Sequence, residues 1–192
     1  MRETILISFV IIFIYIFLFI NRNDVVYVES SRGTKFLVHK DNFKKEKANL
    51  LASIVQNLFS LKNYLVKNIE QFPEYKNYIK QLDSNLKENR TIIYETNPNS
   101  NLTSYSVNKG EELSFCLKSK KNGAIHDINL LMYVAVHELS HIACPEVGHG
   151  DLFKKIFKKF IEESVNIGIY NKVNYSENPV EYCGMVLSSS II

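Results

Sequence analysis

The stretch His137-Glu138-Leu139-Ser140-His141 follows the apolar run 130–136 (LLMYVAV) and precedes Gly148-His149-Gly150. The apolar run predicts a mostly buried helix that ends in this polar stretch. On a helix, residues i and i+4 lie one above the other, so His137 and His141 can offer two imidazole nitrogens to one ion. Two histidines at this spacing, with a glutamate after the first, are typical of a helical zinc site.

Glu138 has a different role in this pattern. A carboxylate one residue after the first ligand lies beside the open position of the metal without occupying it. There it can accept a proton from a water whose pKa the zinc ion has lowered from about 16 toward about 7. The sequence therefore predicts that Glu138 is a general base that generates a nucleophile at neutral pH.

A catalytic zinc ion usually takes three protein ligands, so one is missing from the helix. We predict His149 as the third, because Cys144-Pro145 ends the helix and Gly148 gives the chain freedom to turn back. The alternative third ligand is an acid from the next helix, Glu162 or Glu163. A further alternative is a site closed by the cysteine, or a site without metal. Uncompensated histidines at the end of a buried helix would be costly, which favours a metal.

The composition fits one folded domain. The chain has 192 residues, of which 46% are hydrophobic and 22% charged, and its formal net charge is +3. This charge is too small to indicate nucleic-acid binding. The three cysteines stand at scattered positions and do not form a disulfide framework, which agrees with a cytosolic domain.

The first segment departs from this average, because 5–20 (ILISFVIIFIYIFLFI) carries no charge. We interpret residues 1–23 as a single-pass transmembrane anchor, since about 20 apolar residues reach across a bilayer core. No small-residue cleavage site follows, which disfavours the alternative of a cleaved signal. More lysines and arginines follow the segment than precede it, so the positive-inside tendency places the domain on the cytosolic side.

The rest of the chain reads as an α+β fold. Residues 24–46 predict a β-hairpin, and helical apolar spacing recurs over 47–68 and 78–86. A second hairpin turns at Asn108-Lys109-Gly110, and its second half, Glu112 to Lys118, is the candidate edge strand for an extended substrate.

Three residues near the candidate site carry further predictions. Asp127 is well placed to cap the helix that carries the zinc motif. Tyr170 and Tyr182 are candidates to donate a hydrogen bond to the oxyanion that forms when water attacks a carbonyl. For each tyrosine a place in the core is the alternative, as it is for His126.

With these residues the chain resembles the zincin metallopeptidases of the WLM and SprT-like families. The resemblance rests on HExxH at 137–141, Gly148-His149-Gly150 and Phe153. The run from Tyr105 through the motif to Glu181-Tyr182-Cys183-Gly184 is similar to small membrane-anchored WLM-like proteins of large DNA viruses. The resemblance implies one zinc ion held by three histidines, a glutamate that acts as general base, and hydrolysis of peptide bonds.

The sequence thus predicts a transmembrane helix (1–23), a juxtamembrane hairpin (24–46) and a zincin-like domain (47–192) with a small mixed sheet and an HExxH helix. Its predicted partners are the membrane and a protein or peptide substrate. The metal ligands are His137, His141 and His149, with Glu138 as base. One alternative is a membrane-tethered zinc-binding protein without turnover. Another is hydrolysis of a non-protein amide by the same residues.

Overall fold

The computed structural model describes residues 2–21 and 24–192, without the side chains of 2–6 and 17–21. The helices within this part are α1 (Arg2–Asn21), α2 (Lys44–Lys67), α3 (Lys76–Asn85), α4 (Ile128–Ala143) and α5 (Asp151–Asn166). The strands are β1 (Val25–Glu29), β2 (Lys35–His39), β3 (Ile92–Glu95), β4 (Tyr105–Val107), β5 (Glu112–Phe115), β6 (Val180–Tyr182) and β7 (Met185–Leu187).

Five strands form one mixed sheet in the order β1-β2-β3-β5-β4. The outer pairs β1/β2 and β5/β4 are antiparallel, whereas β2/β3 and β3/β5 are parallel. Strands β6 and β7 form a separate two-stranded hairpin. The predicted α+β class with a small mixed sheet is confirmed. The hairpin at 24–46 joins this sheet through the pairing of β2 with β3.

Helix α4 lies at the centre of the helical layer and contacts α2, α3 and α5. Its apolar residues are buried on all sides, which explains the uninterrupted run in the sequence. The Asp127 side chain accepts a hydrogen bond from the backbone N–H of Asn129 at 2.8 Å, so the predicted N-cap forms. The start of α4 is thereby fixed, and in its last turns His137 and His141 are partly exposed while Ile142 and Ala143 stay buried.

A buried ion pair joins α2 to the sheet. The Lys47 ammonium is fully buried and lies 2.8 Å from the Glu95 carboxylate and 3.2 Å from that of Asp41. It also donates a hydrogen bond to the His39 carbonyl at 3.0 Å, and Glu95 accepts one from the His39 N–H at 2.6 Å. The cation and the anion therefore satisfy each other where neither reaches water.

The prediction of a single-pass membrane protein with a cytosolic domain is wrong. In the part of α1 and of the other helices that the structure describes, no helix is both long and apolar enough to cross a membrane. Residues 1, 22 and 23 of the predicted anchor lie outside the description.

We expect Lys47→Ala to lower the free energy of unfolding by about 3–5 kcal/mol, because it leaves the buried Glu95 carboxylate without its partner. Urea denaturation of the full chain measures this loss. The control is Lys76→Ala, which removes the exposed pair of Lys76 with Glu70 and should leave the urea midpoint unchanged. Equal midpoints for both variants would show that the buried pair does not stabilise the fold.

Candidate metal centre and substrate cleft

The last turns of α4 place two imidazoles side by side. The Nε2 atoms of His137 and His141 lie 3.1 Å apart, as the i, i+4 spacing predicts. Both rings are partly exposed, whereas the preceding helix is buried. The site therefore lies where α4 leaves the core.

The third imidazole arrives from the loop after α4. The helix ends at Cys144, and Gly148 takes a φ of +87°, a left-handed conformation that glycine adopts without strain. His149 then turns back, so that its Nε2 lies 3.0 Å from that of His137 and 3.1 Å from that of His141. The structure brings together all three histidines that the sequence singled out.

Phe153, in the first turn of α5, packs against all three rings. Its ring stacks on His141 with centroids 4.2 Å apart and meets His137 and His149 edge-on, each at 4.9 Å. Phe157, one turn later, lies 5.1 Å from His137. These aromatic contacts hold the three imidazoles in one orientation.

The three nitrogens fit a zinc ion. Nitrogen ligands of a tetrahedral zinc, each about 2.0–2.1 Å from the ion, lie about 3.3–3.4 Å apart. The observed 3.0–3.1 Å is within a few tenths of an ångström of that value. Each Nε2 carries either one hydrogen or one lone pair, so three of them in a triangle cannot all be satisfied by one another. A cation that accepts three lone pairs satisfies them all.

The electrostatics of the histidines favour the same interpretation. Burial, with the neighbouring imidazoles, lowers the pKa of His137 to about 3. Burial, His149 and Lys109 lower the pKa of His141 to about 4. Both rings are therefore neutral at physiological pH and have a lone pair available for a metal.

Glu138 follows the first imidazole along the chain, is only 5% exposed, and is one of the residues that line the cleft in front of the histidines. Burial raises the pKa of its carboxyl to about 7, although a hydrogen bond from the backbone of Ser106 in β4 opposes the shift. A carboxyl with this pKa can both take up and release a proton near neutral pH.

Lys109 connects the β4–β5 turn to the end of α4. Its ammonium donates hydrogen bonds to the carbonyls of His141 at 3.1 Å, Cys144 at 2.6 Å and Glu146 at 3.0 Å. A helix C-terminus leaves its last carbonyls unpaired and favours a cation there. Lys109 thus fixes both the helix end and the loop that leads to His149. Nothing in the sequence singles out this residue, because a lysine in a predicted turn is usually an exposed side chain.

The other proposed ligands lie elsewhere. Glu163 is buried in contact with Lys159 at 2.5 Å and Asn166 at 3.0 Å. Cys144 is a buried free thiol. Among the described residues, the potential metal ligands that cluster at this site are the three histidines. Cys144, Glu162 and Glu163 are not part of this cluster. A metal ion held by the three histidines would therefore find no fourth His, Cys, Asp or Glu ligand among the described residues.

A cleft of about 610 Å³ opens in front of the histidines. Strand β4 and residues 103–104 form one side, the loop 146–149 another, and the β6–β7 hairpin contributes Tyr182, Met185 and Leu187. Strand β4 is the edge of the sheet, whereas β5 is paired on both sides. The prediction that Glu112 to Lys118 is the edge strand is therefore wrong, because the first half of that hairpin, not the second, lies outermost.

The two candidate tyrosines differ in position. Tyr170 is 2% exposed and packs on Tyr133, with ring centroids 5.9 Å apart, and it is not part of the cleft lining. Tyr182 lines the cleft, and its hydroxyl hydrogen-bonds the Ser104 hydroxyl. Burial, opposed by the bond with Ser104, raises the pKa of the Tyr182 phenol, so it stays protonated.

Comparison with known proteins identifies relatives in viruses. Uncharacterized protein R325 of Acanthamoeba polyphaga mimivirus is 42% identical over 172 residues, which are 89% of this chain and 86% of that protein. The chain belongs to the R325 family. Uncharacterized protein 136R of Invertebrate iridescent virus 6 is 34% identical to this chain over 86 residues, which are 44% of this chain and 48% of that protein. The expectation of viral relatives is confirmed.

Two solved structures of Wss1 from Saccharomyces cerevisiae, one of them a mutant, resemble this R325 family member weakly. Their TM-scores are 0.37 and 0.36, with 21% and 19% identity, and each covers 52% of this chain and 81% or 82% of its own. A likeness of this degree transfers neither a fold nor an activity. No family model matches the chain.

We expect Lys109→Met to weaken zinc binding by about 10–100-fold, the usual cost of removing a group that orients a ligand. The methionine keeps the alkyl chain but leaves three carbonyls without their donor. Competition with a zinc-binding dye measures the affinity. Lys154→Met, at an exposed lysine of α5, is the control. Unchanged affinity in Lys109→Met would show that the lysine does not position His149.

Proposed function

We propose that the chain is a zinc-dependent peptidase that hydrolyses peptide bonds in protein or peptide substrates. The observation that carries the proposal is the convergence of three imidazoles, with Nε2 atoms 3.0–3.1 Å apart, next to a buried carboxyl and an open cleft. The order of HExxH, Gly-His-Gly and Phe153 along the chain, similar to WLM and SprT-like zincins, supports it.

In this proposal His137, His141 and His149 hold the metal through their Nε2 atoms. Zinc bound there would supply a Lewis acid that polarises the scissile carbonyl and lowers the pKa of a water molecule. Phe153 and Lys109 preorganise the site: Phe153 fixes the imidazole rings, and Lys109 fixes the loop that carries His149. Little rearrangement is then needed when the ion binds.

Glu138 moves the proton. Its carboxylate accepts a proton from the attacking water and then delivers it to the nitrogen of the leaving amine. A pKa of about 7 suits both steps, because at neutral pH the carboxyl is populated in both its protonated and its deprotonated form. The Ser106 N–H orients this carboxyl, so the edge strand and the base are coupled.

Strand β4 orients the substrate. Within the described part of the chain, no strand pairs with its outer edge, and Tyr105 and Ser106 line the cleft. An extended peptide can add to this edge through main-chain hydrogen bonds, which bind many sequences alike. Side-chain preference then comes from the walls of the cleft, among them Val134, Met185 and Leu187.

We expect Glu138→Gln to reduce cleavage of an unfolded protein substrate by about 10²–10⁴-fold, the range for loss of a general base. Zinc content, measured by elemental analysis, should stay at that of the wild type, because the amide leaves the ligands in place. Glu177→Gln, at an exposed acid, is the matched control and should retain full activity. Wild-type protein that holds zinc but cleaves nothing would favour a zinc-binding protein without turnover.

We expect His149→Ala to lose its zinc on dialysis, because two protein ligands hold the ion much less tightly than three. Glu162→Gln tests the rival ligand and should keep zinc at the wild-type level. Elemental analysis of both dialysed variants measures the difference. The reverse pattern would assign the third ligand to α5 and refute the role of the loop.

A further inference from the structure

The β6–β7 hairpin forms a wall of the cleft and is attached to the domain through its side chains, with Tyr182 and Cys183 in the core. Its strands pair with each other in a separate two-stranded sheet and do not join the five-stranded one. Three of its residues, Tyr182, Met185 and Leu187, nevertheless face the same cleft as the histidines. Something other than strand pairing must therefore hold this wall in place.

The connection lies at the tip of the hairpin. Cys183 and Gly184 form its turn, with φ values of +54° and +92°. Cys183 forms a disulfide with Cys116, at the end of β5, across a Cα–Cα distance of 6.2 Å. The spacing of the cysteines did not predict this disulfide, because the two are 67 residues apart and only the folded chain brings them together.

Noncovalent contacts at the tip surround the disulfide. The backbone N–H of Cys183 donates to Nε2 of His126 at 3.2 Å, and the His126 ring packs on Tyr182 with centroids 5.0 Å apart. The Tyr182 hydroxyl bonds to Ser104, whose Oγ also accepts from the N–H of Cys116 at 3.1 Å. The disulfide thus lies one residue from the tyrosine that faces the cleft.

His126 with Cys116 and Cys183 also forms a buried group of potential metal ligands, with one ligand atom of each within 4.8 Å of the others. Two observations favour the disulfide over a metal. The sulfur atoms are bonded to each other, and Nε2 of His126 already accepts a hydrogen bond from Cys183. The imidazole also hydrogen-bonds the backbone of Lys118, so both its nitrogens have partners.

We propose that the Cys116–Cys183 disulfide is a redox latch that holds the β6–β7 hairpin as the substrate-facing wall of the cleft. This inference rests on the proposed peptidase function. When the latch opens, Tyr182, Met185 and Leu187 lose their fixed positions, while the histidines stay in place. The latter are held by α4, Phe153 and Lys109, none of which belongs to the hairpin.

The chemistry of opening is thiol–disulfide exchange with a dithiol. Two electrons pass to the Sγ–Sγ bond, the bond breaks, and each cysteine sulfur takes up one proton to become a thiol. The dithiol loses two protons and closes to its own disulfide. The two cysteines are 67 residues apart, so the disulfide closes a long loop and restricts the conformations of the chain. Reduction removes this restriction.

The test uses the full-length, zinc-loaded protein with and without a water-soluble phosphine. The phosphine reduces the disulfide, taking an oxygen from water as it becomes its oxide, and does not chelate zinc as a dithiol would. Three quantities are measured: free thiols by alkylation and mass spectrometry, hydrogen exchange of residues 180–187, and cleavage of an unfolded protein substrate. Elemental analysis verifies that zinc stays bound.

In the oxidised protein we expect one free thiol per chain, that of Cys144, and slow exchange in 180–187. Reduction should give three free thiols, faster exchange in this segment and a fall in kcat/KM of about 10-fold or more, because small misplacements near a reacting bond are costly. Cys116→Ser/Cys183→Ser should behave as the reduced form and not respond to phosphine. Cys144→Ser should respond as the wild type does.

Three free thiols in the protein purified without reductant would overturn the proposal. Exchange in 180–187 that is equal in both redox states would also overturn it, and this result does not depend on activity. Faster exchange with unchanged kcat/KM would refute the regulatory role. Zinc-loaded oxidised protein that cleaves nothing would instead contradict the proposed function, while the exchange data still decide whether the disulfide holds the hairpin. The comparison of wild-type protein with and without phosphine remains decisive if the serine variant fails to fold.

Discussion

The burial of α4 constrains the rest of the structure. A helix that is buried on nearly all sides can expose polar side chains only where one face is left uncovered, and the last turns of α4 do so at His137 and His141. Its final carbonyls still need donors, and three nearby carbonyls receive them from Lys109. The β4–β5 turn must therefore lie at the end of α4, which in turn brings the edge strand beside the cleft.

The same constraint sets the electrostatics of the site. Residues at the end of a buried helix are partly desolvated, so their charged forms are disfavoured. For His137 and His141 this keeps the lone pairs free, and for Glu138 it raises the pKa to about 7. One cause, burial, thus keeps two imidazoles neutral and raises the pKa of the carboxyl next to one of them.

The parts of this site that the sequence predicted are local. The i, i+4 pair on α4, the cap at Asp127 and the turn at Gly148 depend on helix periodicity or on a single residue's backbone preference. The edge strand, Lys109 and the disulfide depend on strand order and on contacts between distant segments. A parallel β3–β5 pair places β4 outermost, and no alternation of side chains within Tyr105 to Phe115 shows which half of that hairpin meets the edge.

The candidate metal ligands and the access of substrate to the cleft depend on different parts of the fold. The three candidate ligands lie within residues 137–149, where Phe153 packs on their rings and Lys109, from the β4–β5 turn, binds the loop between them. Substrate access depends on β4 and on the hairpin 180–187, which only the complete fold places in front of the metal ligands. Changes in the hairpin can therefore alter which peptides enter without disturbing the histidines, because the contacts that Phe153 and Lys109 make with them and their loop do not involve the hairpin. The disulfide at Cys183 lies on the substrate-facing side of this division, so its redox state acts on access and leaves the metal centre intact.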